Sequence, residues 1–225
     1  PFERIPVTFH VSSTDDEDFG SSCNTLGTAQ EEEPLGGEAW ENTNRGNGIT
    51  VQRGSADVKA QLESIHTKHT YIIQSYIRPY LYCERKFDIR CYALFVMINR
   101  RIRGYWYEEG YIRTASEPFS LKKTDKMIHL TNDAVQKPGE HGRYEPGNKL
   151  SYQELSKYTN ININRDFEKE VVPQMRDLCR DVFLSTQGKL GGDRSEDAFE
   201  VYGLDFMLDE ELKPWLIEVN TNPCL

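Results

Sequence analysis

The sequence lacks the features of a membrane-spanning, secreted or disulfide-bonded protein. Its longest purely apolar run, CYALFVMI at residues 91–98, is far shorter than the roughly 20 residues that cross a bilayer. The amino end, PFERIPVTFHV, has no basic stretch followed by an apolar one, so we expect no secretory leader. The five cysteines form no CxxC pair and are odd in number, which favours reduced thiols over disulfides or a zinc site. We therefore expect a cytoplasmic protein without membrane insertion.

Basic residues are in the minority, and the formal net charge is −9. The excess of acid lies in the first 40 residues, where Arg4 is the only base, and the rest of the chain is nearly neutral. Two basic clusters stand out there, NRRIRG at residues 99–104 and LKKTDK at residues 121–126. They indicate either a solvated loop surface or contact with an acidic partner. We expect no nucleic-acid partner.

Residues 11–38 are rich in Ser, Thr, Gly and acid and poor in large apolar side chains. Such a segment buries too little surface to offset the entropy of ordering it. We therefore interpret residues 1–39 as a flexible acidic segment that holds one short strand, within IPVTFHV. Residues 40–225 form the folded domain, since a hydrophobic content of 37% is sufficient for a core.

Strand and helix patterns alternate through the folded domain. The predicted strands are ITVQ (49–52), TYIIQSYI (70–77), CYALFVMI (91–98), IRGYWY (102–107), YIRTAS (111–116), EVYGLDFMLD (200–209) and PWLIEVN (214–220). Helices are predicted over residues 55–65, capped by Ser55, and over residues 167–190, with a loop over residues 117–149. Strands mixed with helices and hairpins indicate an α+β fold.

The last predicted hairpin carries polar groups inside strands that are otherwise apolar. Asp205 and Glu218 lie mid-strand, and Asn220 shares a face with Glu218 because side chains alternate along a strand. Two carboxylates and an amide oxygen form a ligand set that suits Mg²⁺. The alternative is a strand whose polar face meets solvent, and the hairpin alone does not decide between the two.

The segment RKFDIR at residues 85–90 places Lys86, Asp88 and Arg90 on one face of a strand and Phe87 and Ile89 on the other. A lysine point charge beside a planar arginine can bind phosphate and carboxylate together. A surface ladder of ion pairs is the alternative interpretation.

Two further motifs are weak when each is taken alone. Gly46 and Gly48 in ENTNRGNGI would let backbone N–H groups approach a phosphate, although an ordinary hairpin loop also fits. HLTN at residues 129–132 places polar groups after a loop, and its His129 is more typical of a structural hydrogen bond than of a catalytic base.

In this order, the motifs resemble the tubulin tyrosine ligase-like family of the ATP-grasp superfamily. The resemblance covers roughly residues 40–225 and depends on YIIQSYI, RKFDIRCYALF, YEEGYIRTASEPF, HLTNDAVQK, YEPGNKLS and YGLDFMLDEELKPWLIEVNTNPCL. It implies an α+β ATP-grasp core in which two sheet-bearing lobes hold the nucleotide. It also leads us to expect that the domain is incomplete.

The resemblance also implies a role for each motif residue. The implied magnesium ligands are Asp205, Glu218 and Asn220, and the implied ATP-binding residues are Gly46, Gly48, Gln74, Tyr76, Ile77, Lys86 and Asp88. Arg90, Arg113, Thr131 and Asn132 would contact substrate, and Lys86, Arg90 and Glu218 would be catalytic.

The implied reaction joins a free amino acid to tubulin through an acyl phosphate, with ATP and Mg²⁺ as cofactors. Glutamate, glycine and tyrosine all stay open as the amino acid. The two basic clusters would then face the acidic tail of tubulin or of microtubules. We expect a monomer located at the cytoskeleton, including the cilium or basal body.

One segment departs from the family pattern. The family has lysine, proline and glycine before ENTNRG, whereas this chain has Glu38, Ala39 and Trp40. A glutamate at that position would repel phosphate. A catalytically weak or inactive tubulin-binding relative is therefore one alternative, and a phosphotransferase, which uses a similar metal site, is the other.

Overall fold

The computed structural model describes residues 2–11, 17, 19–21, 35–36, 48–64, 71–137, 145–190 and 197–224. The chain divides into two compact units, each with its own antiparallel sheet. The small-sheet unit comprises Pro6–Lys86 and Ala115–Asn148, and the large-sheet unit comprises Pro1–Ile5, Phe87–Thr114 and Lys149–Leu225. The α+β class is confirmed. The boundary predicted at residue 39 lies outside the described residues and stays a prediction, as does a nucleotide held by two lobes.

The small-sheet unit is built on four short strands in the order β1-β4-β2-β3. They are β1 (Thr8–Val11), β2 (Leu35–Gly36), β3 (Val51–Gln52) and β4 (Tyr71–Gln74). The helix α1 (Ser55–Ser64) covers the core with Val58 and Leu62. The predicted cap at Ser55 is wrong by one position, because the first helical bond runs from the Val58 N–H to the carbonyl of Gly54.

The large-sheet unit has six strands, ordered β10-β9-β5-β7-β8, with β6 also paired to β5. They are β5 (Phe87–Ile98), β6 (Arg101–Trp106), β7 (Tyr111–Thr114), β8 (Lys149–Ser151), β9 (Ala198–Leu208) and β10 (Pro214–Thr221). The predicted β5–β6 hairpin is confirmed. Its two turn residues, Asn99 and Arg100, have φ of 49° and 62°, the left-handed geometry that two-residue hairpins require.

Within the residues that the structure describes, five further helices follow α1. They are α2 (Lys126–His129), α3 (Asp133–Gln136), α4 (Tyr152–Ile163), α5 (Phe167–Glu170) and α6 (Val172–Leu190), and 3₁₀ turns occur at Phe2–Arg4 and Pro146–Asn148. In the described part of the chain, no helix combines the length and the apolar character needed to cross a membrane.

Three helix predictions need correction. The expected loop over residues 117–149 contains α2 and α3. The single helix expected over residues 167–190 breaks at Val171, because Pro173 has no N–H to donate and favours the first turn of a new helix. The helix α4 was missed, although Ser151 and Glu154 form a capping box at its start.

The two faces of the large sheet differ in character. Odd-numbered residues of β5, such as Phe87 and Ile89, are buried in the core, and Phe95 packs edge-on against Phe183 of α6 with ring centroids 4.8 Å apart. Even-numbered residues, beginning with Asp88 and Arg90, point to the opposite face because side chains alternate. We call this opposite face the site face.

A buried ion pair ties together two distant segments of the small-sheet unit. Arg85 and Glu145 are only 1% and 6% exposed, and two hydrogen bonds of 2.9 and 2.8 Å join them. Arg85 also donates to the carbonyl of Ala115 at 3.1 Å. Because both charges are removed from water, each depends on the other for its neutralisation.

We expect Glu145→Gln to lower the free energy of unfolding by about 3–5 kcal/mol, because the buried Arg85 cation would lose the carboxylate that binds it through two hydrogen bonds. Urea denaturation followed by circular dichroism measures this effect. Glu63→Gln is the matched control, since Glu63 forms an exposed pair with Lys59 at 3.9 Å and such pairs contribute little. Equal losses in the two variants would contradict a special role for the buried pair.

Candidate active site

The β9–β10 hairpin is held by its turn and altered by a bulge. Asp209 accepts hydrogen bonds from the backbone N–H groups of Glu211 and Lys213, at 3.0 and 2.9 Å. Leu216 pairs with Phe206, but Glu218 pairs with Asp205, so Ile217 is an extra residue. Leu216 is therefore buried, and Glu218 lies opposite Asp205 on the site face.

Charged residues form a row across the site face of three neighbouring strands. Glu218 of β10 pairs in register with Asp205 of β9, and Asp205 pairs with Arg90 of β5. Arg90 binds the Asp205 carboxylate through two nitrogens, one of them Nη2 at 2.9 Å. Asp205 is only 3% exposed, so the alternative that it lies on a solvent-facing polar strand face is wrong.

A second arginine extends the row to β7. Arg113 pairs in register with Asp88 and donates from Nε to Asp88 Oδ1 at 2.8 Å. Its Nη2 also contacts Asp88 and lies 3.1 Å from Asp205 Oδ2. The predicted shared face is thus confirmed for Asp88 and Arg90, whereas Lys86 precedes β5 and belongs to the small-sheet unit. The ion pairs on this face are largely buried and do not form a surface ladder.

Asn220 completes the group from β10. Its amide nitrogen lies 3.0 Å from Glu218 Oε1 and 3.4 Å from Asp205 Oδ2. The three residues implied as magnesium ligands therefore lie next to one another. Arg90 and Arg113 both contact one of them, Asp205.

The two carboxyl groups differ in their affinity for a proton. Burial alone would raise the pKa of Asp205, but the hydrogen bond from Arg90 and the charge of Arg113 hold that pKa below its ordinary value. Burial and the hydrogen bond with Asp205 raise the pKa of Glu218 to about 7. The charge of the neighbouring Asp205 carboxylate acts in the same direction, while the Asn220 amide and the charge of Arg90 act against it.

The donor set fits a divalent cation. Asp205, Glu218 and Asn220 offer two carboxylates and an amide oxygen, and Mg²⁺ commonly binds one or two carboxylates while water and phosphate complete its shell. A bound cation would offset the negative charge of Asp205 that helps to raise the pKa of Glu218. The Asn220 amide would have to rotate, because it now presents N–H to both carboxylates. Among the described residues, no group of three His, Cys, Asp or Glu side chains could hold a metal.

Lys86 lies within an aromatic cluster of the small-sheet unit. Its Nζ is 4.7 Å from the centroid of the Tyr76 ring, a cation–π distance. The Tyr76 hydroxyl lies 2.7 Å from His129 Nδ1, and His129 Nε2 lies 2.6 Å from the carbonyl of Lys123. Because a carbonyl only accepts, Nε2 carries the proton and Nδ1 accepts from Tyr76.

His129 is neutral in this arrangement. Burial lowers its pKa, and the nearby charge of Lys86 acts in the same direction, while its hydrogen bond to the Lys123 carbonyl acts against them. Both ring nitrogens are used in hydrogen bonds, which agrees with the predicted structural role of this histidine. Tyr76 and His129 therefore fix the place of the Lys86 ammonium group.

The remaining predicted residues occupy simpler positions. Gln74 ends β4 and donates to the Thr8 hydroxyl at 3.1 Å, and Thr131 is buried. Asn132 precedes α3 without a side-chain capping bond, and Gly48 has φ of 79°. The other glycine of the motif, Gly46, lies outside the described residues.

The structure brings some of the predicted residues together and assigns others to a different unit. The large-sheet unit holds Asp88, Arg90, Arg113, Asp205, Glu218 and Asn220. The small-sheet unit holds Gly48, Gln74, Tyr76, Ile77, Lys86, Thr131 and Asn132. Sequence reasoning missed the bulge at Ile217 and the role of Tyr76 and His129 in holding Lys86.

Comparison with known proteins identifies the family of the chain. The profile described as "Tubulin-tyrosine ligase family" matches residues 39–225. The chain belongs to the tubulin-tyrosine ligase family. The resemblance inferred from the motifs is thereby confirmed, and the residues of the large-sheet site all lie within the matched range.

Three relatives within this family show what the chain is similar to. It is 34% identical over 168 residues to "Probable alpha-tubulin polyglutamylase Ttll1" of Tetrahymena thermophila, covering 73% of this chain and 40% of that protein. It is 34% identical over 195 residues to "Tubulin glycylase 3A" of Drosophila melanogaster, covering 80% of this chain and 19% of that protein. It is 33% identical over 186 residues to "Probable tubulin polyglutamylase TTLL9" of Bos taurus, covering 82% of this chain and 39% of that protein. The matches thus span two fifths or less of each relative's length.

We expect the Glu218 carboxyl of the metal-free protein to take up a proton as the pH falls through about 7. Carbon-13 NMR of labelled glutamate, titrated from pH 5 to pH 9, measures this directly. Asp205→Asn should lower the midpoint toward the ordinary glutamate range, because the neighbouring negative charge is removed while Arg90 and Arg113 remain. A midpoint near 4.5 in the parent protein would contradict the coupling of the two carboxyl groups.

Proposed function

We propose that this chain carries the catalytic site of an ATP- and Mg²⁺-dependent ligase that joins a free amino acid to tubulin. The row that Glu218, Asp205 and Arg90 form on one sheet face carries this proposal, in a chain of the tubulin-tyrosine ligase family. Glutamate and glycine are favoured as the amino acid over tyrosine, because the similar proteins are named polyglutamylases and a glycylase.

The residues at the site suit this reaction. Asp205, Glu218 and the rotated amide of Asn220 would hold Mg²⁺, which neutralises phosphate charge when ATP is bound. ATP would supply the phosphoryl group that activates an acceptor carboxylate as an acyl phosphate, and the amine of the free amino acid would then displace phosphate.

Lys86 is proposed to contact the ATP phosphates. Its side chain is 7% exposed and lies over the Tyr76 ring, so the ammonium group is already oriented before a ligand arrives. A preoriented charge needs little reorganisation when negative charge develops, which is the source of most electrostatic catalysis. Gln74, Ile77 and Asn132 belong to the same unit and are proposed as further nucleotide or substrate contacts.

Arg90 and Arg113 are proposed to attract substrate carboxylates while they hold protein carboxylates. Arg90 uses Nε and Nη2 on Asp205, and Arg113 uses Nε and Nη2 on Asp88. Mg²⁺ bound to the Asp205 carboxylate would neutralise part of its negative charge. The two arginines could then attract the carboxylate of an incoming substrate. The two arginines would thus respond to metal binding.

The β5–β6 hairpin offers a surface for the acidic tail of tubulin. Arg101, Arg103 and Tyr105 pair with Ile98, Val96 and Leu94 and so lie on the site face, beside a cavity of about 440 Å³. Both arginines and Arg100 are exposed. Since β5 pairs with β9 without a register shift, this surface continues the face that carries Arg90.

The first test measures incorporation of labelled amino acids by the chain, with microtubules, ATP and Mg²⁺. We expect incorporation of glutamate or glycine, and its loss in Glu218→Gln, because Mg²⁺ loses a charged ligand while the side-chain volume barely changes. Glu210→Gln, in the exposed hairpin turn, is the matched control and should retain the parent activity.

Other outcomes separate the alternatives. Nucleotide binding without incorporation of any amino acid would favour the inactive relative indicated by Glu38, which lies outside the described residues. Phosphate transfer that needs no amino acid would indicate a phosphotransferase. Full activity in Glu218→Gln would remove Glu218 from the metal site.

A second test concerns the hairpin surface. Microtubule binding should weaken as salt rises, and weaken again when Arg100, Arg101 and Arg103 are changed to Glu, because their charges meet an acidic tail. A cosedimentation assay at several salt concentrations measures both effects. The matched control changes Lys157, Arg176 and Arg180, on helices α4 and α6, to Glu. Equal weakening in both triple variants would show a general charge effect and contradict a specific surface.

A further inference from the structure

After β10 the chain turns back over the site face of the large sheet. Asn222 has φ of 49°, a left-handed conformation that reverses the direction of the chain at the end of the strand. Tyr92 then donates its hydroxyl to the carbonyl of Cys224 at 2.8 Å. We call residues 222–224 the terminal turn.

Gly203 makes room for this turn. A Cβ atom added at Gly203 would lie 2.7 Å from Cβ of Pro223, too close for two carbon atoms. It would also lie 3.4 Å from Cδ and Nη1 of Arg90, an ordinary contact. The backbone of Gly203 does not have positive φ, so any L-residue could adopt it. Glycine is therefore needed here for space, because Pro223 fills the place of a side chain.

The place where the turn docks is next to the metal site. Gly203 pairs in register with Asn220 of β10 and with Tyr92 of β5. These positions are two residues along the strands from the pair of Asp205 and Arg90, on the same face of the sheet. The turn thus lies between Asn220, which precedes it by two residues in the chain, and Arg90, which borders Gly203.

We propose that Gly203 and Tyr92 form a seat for the terminal turn, and that the seated turn positions Asn220 and Arg90 at the metal site. Gly203 and Tyr92 are positioning residues. The effect on metal binding rests on the proposed function, whereas the seat itself does not.

Two physical arguments support this role. The end of an edge strand frays unless something fixes it, and Asn220 must stay beside Asp205 and Glu218 for its amide to rotate and present its oxygen to a shared cation. Burial raises the pKa of the Tyr92 phenol to about 12, so the hydroxyl keeps the proton that it donates to Cys224 at neutral pH. The collision of Pro223 with any larger residue at position 203 gives the seat its specificity.

The seat is tested by a nitroxide spin label on the exposed Cys224, in a background with Cys23→Ser and Cys83→Ser. The buried Cys91 and Cys179 should not react. We expect a slow-motion spectrum in the parent and faster motion in Gly203→Ala and Tyr92→Phe. Gly188→Ala is the matched control, since nothing lies within 4 Å of its added Cβ. Equal mobility in all four proteins would overturn the seat.

Positioning is tested by the Mg²⁺ affinity of the same variants without the label, measured by calorimetry. We expect Gly203→Ala and Tyr92→Phe each to weaken Mg²⁺ binding roughly tenfold, as loss of a residue that orients a metal ligand does, with similar thermal midpoints. Gly203→Ala should have little further effect in a Pro223→Gly background, because the colliding Cβ is then absent.

The outcomes for the seat and for the metal site are distinguishable. Asp205→Asn should abolish Mg²⁺ binding, and an unchanged affinity in that variant would overturn the metal site. The mobility of the spin label would still test the seat independently. A mobile label with unchanged Mg²⁺ affinity in Gly203→Ala and Tyr92→Phe would overturn the positioning role. Loss of affinity accompanied by a large fall in thermal midpoint would show a structural role only.

Discussion

The bidentate pair of Arg90 and Asp205 is the interaction on which the site face depends. It joins the two central strands of the large sheet at a point where each strand is buried on its other face. Without Arg90, the Asp205 carboxylate, in a residue that is 3% exposed, would lose two hydrogen bonds from an arginine and would bind a proton more readily. With it, Asp205 stays charged, and the second carboxylate at Glu218 can be tolerated beside it.

The same pair explains why the site is asymmetric. Positive charge reaches Asp205 from Arg90 and Arg113, both on its β5 and β7 side, while Glu218 on the β10 side shares its environment with an amide. The negative charge is therefore least compensated at the outer edge of the row. A divalent cation bound at that edge would place positive charge beside Glu218, as Arg90 places positive charge beside Asp205.

Much of this site could be predicted from local pattern, and the remainder depends on contacts between distant segments. Alternation along RKFDIR correctly placed Asp88 and Arg90 on one face, and the hairpin pattern correctly paired the two strands that carry Asp205 and Glu218, although their register depends on the bulge. No local pattern indicates that Arg113 binds Asp88, or that Tyr76 and His129 hold Lys86, because these partners are far apart in sequence. The capping box at Ser151 is different, since its spacing was readable and α4 was still missed.

The bulge at Ile217 has a consequence for how this family is compared. Along an unbroken strand, Leu216 and Glu218 would share a face, and the extra residue alone sends one to the core and the other to the site. A regular ladder would pair Asp205 with Ile217, so the bulge, and not simple alternation, brings Glu218 to the site face. In an alignment of relatives, loss of the residue between these two positions would restore a regular ladder and leave the acid opposite Asp205, so a one-residue gap there does not mark a protein that has lost its acid.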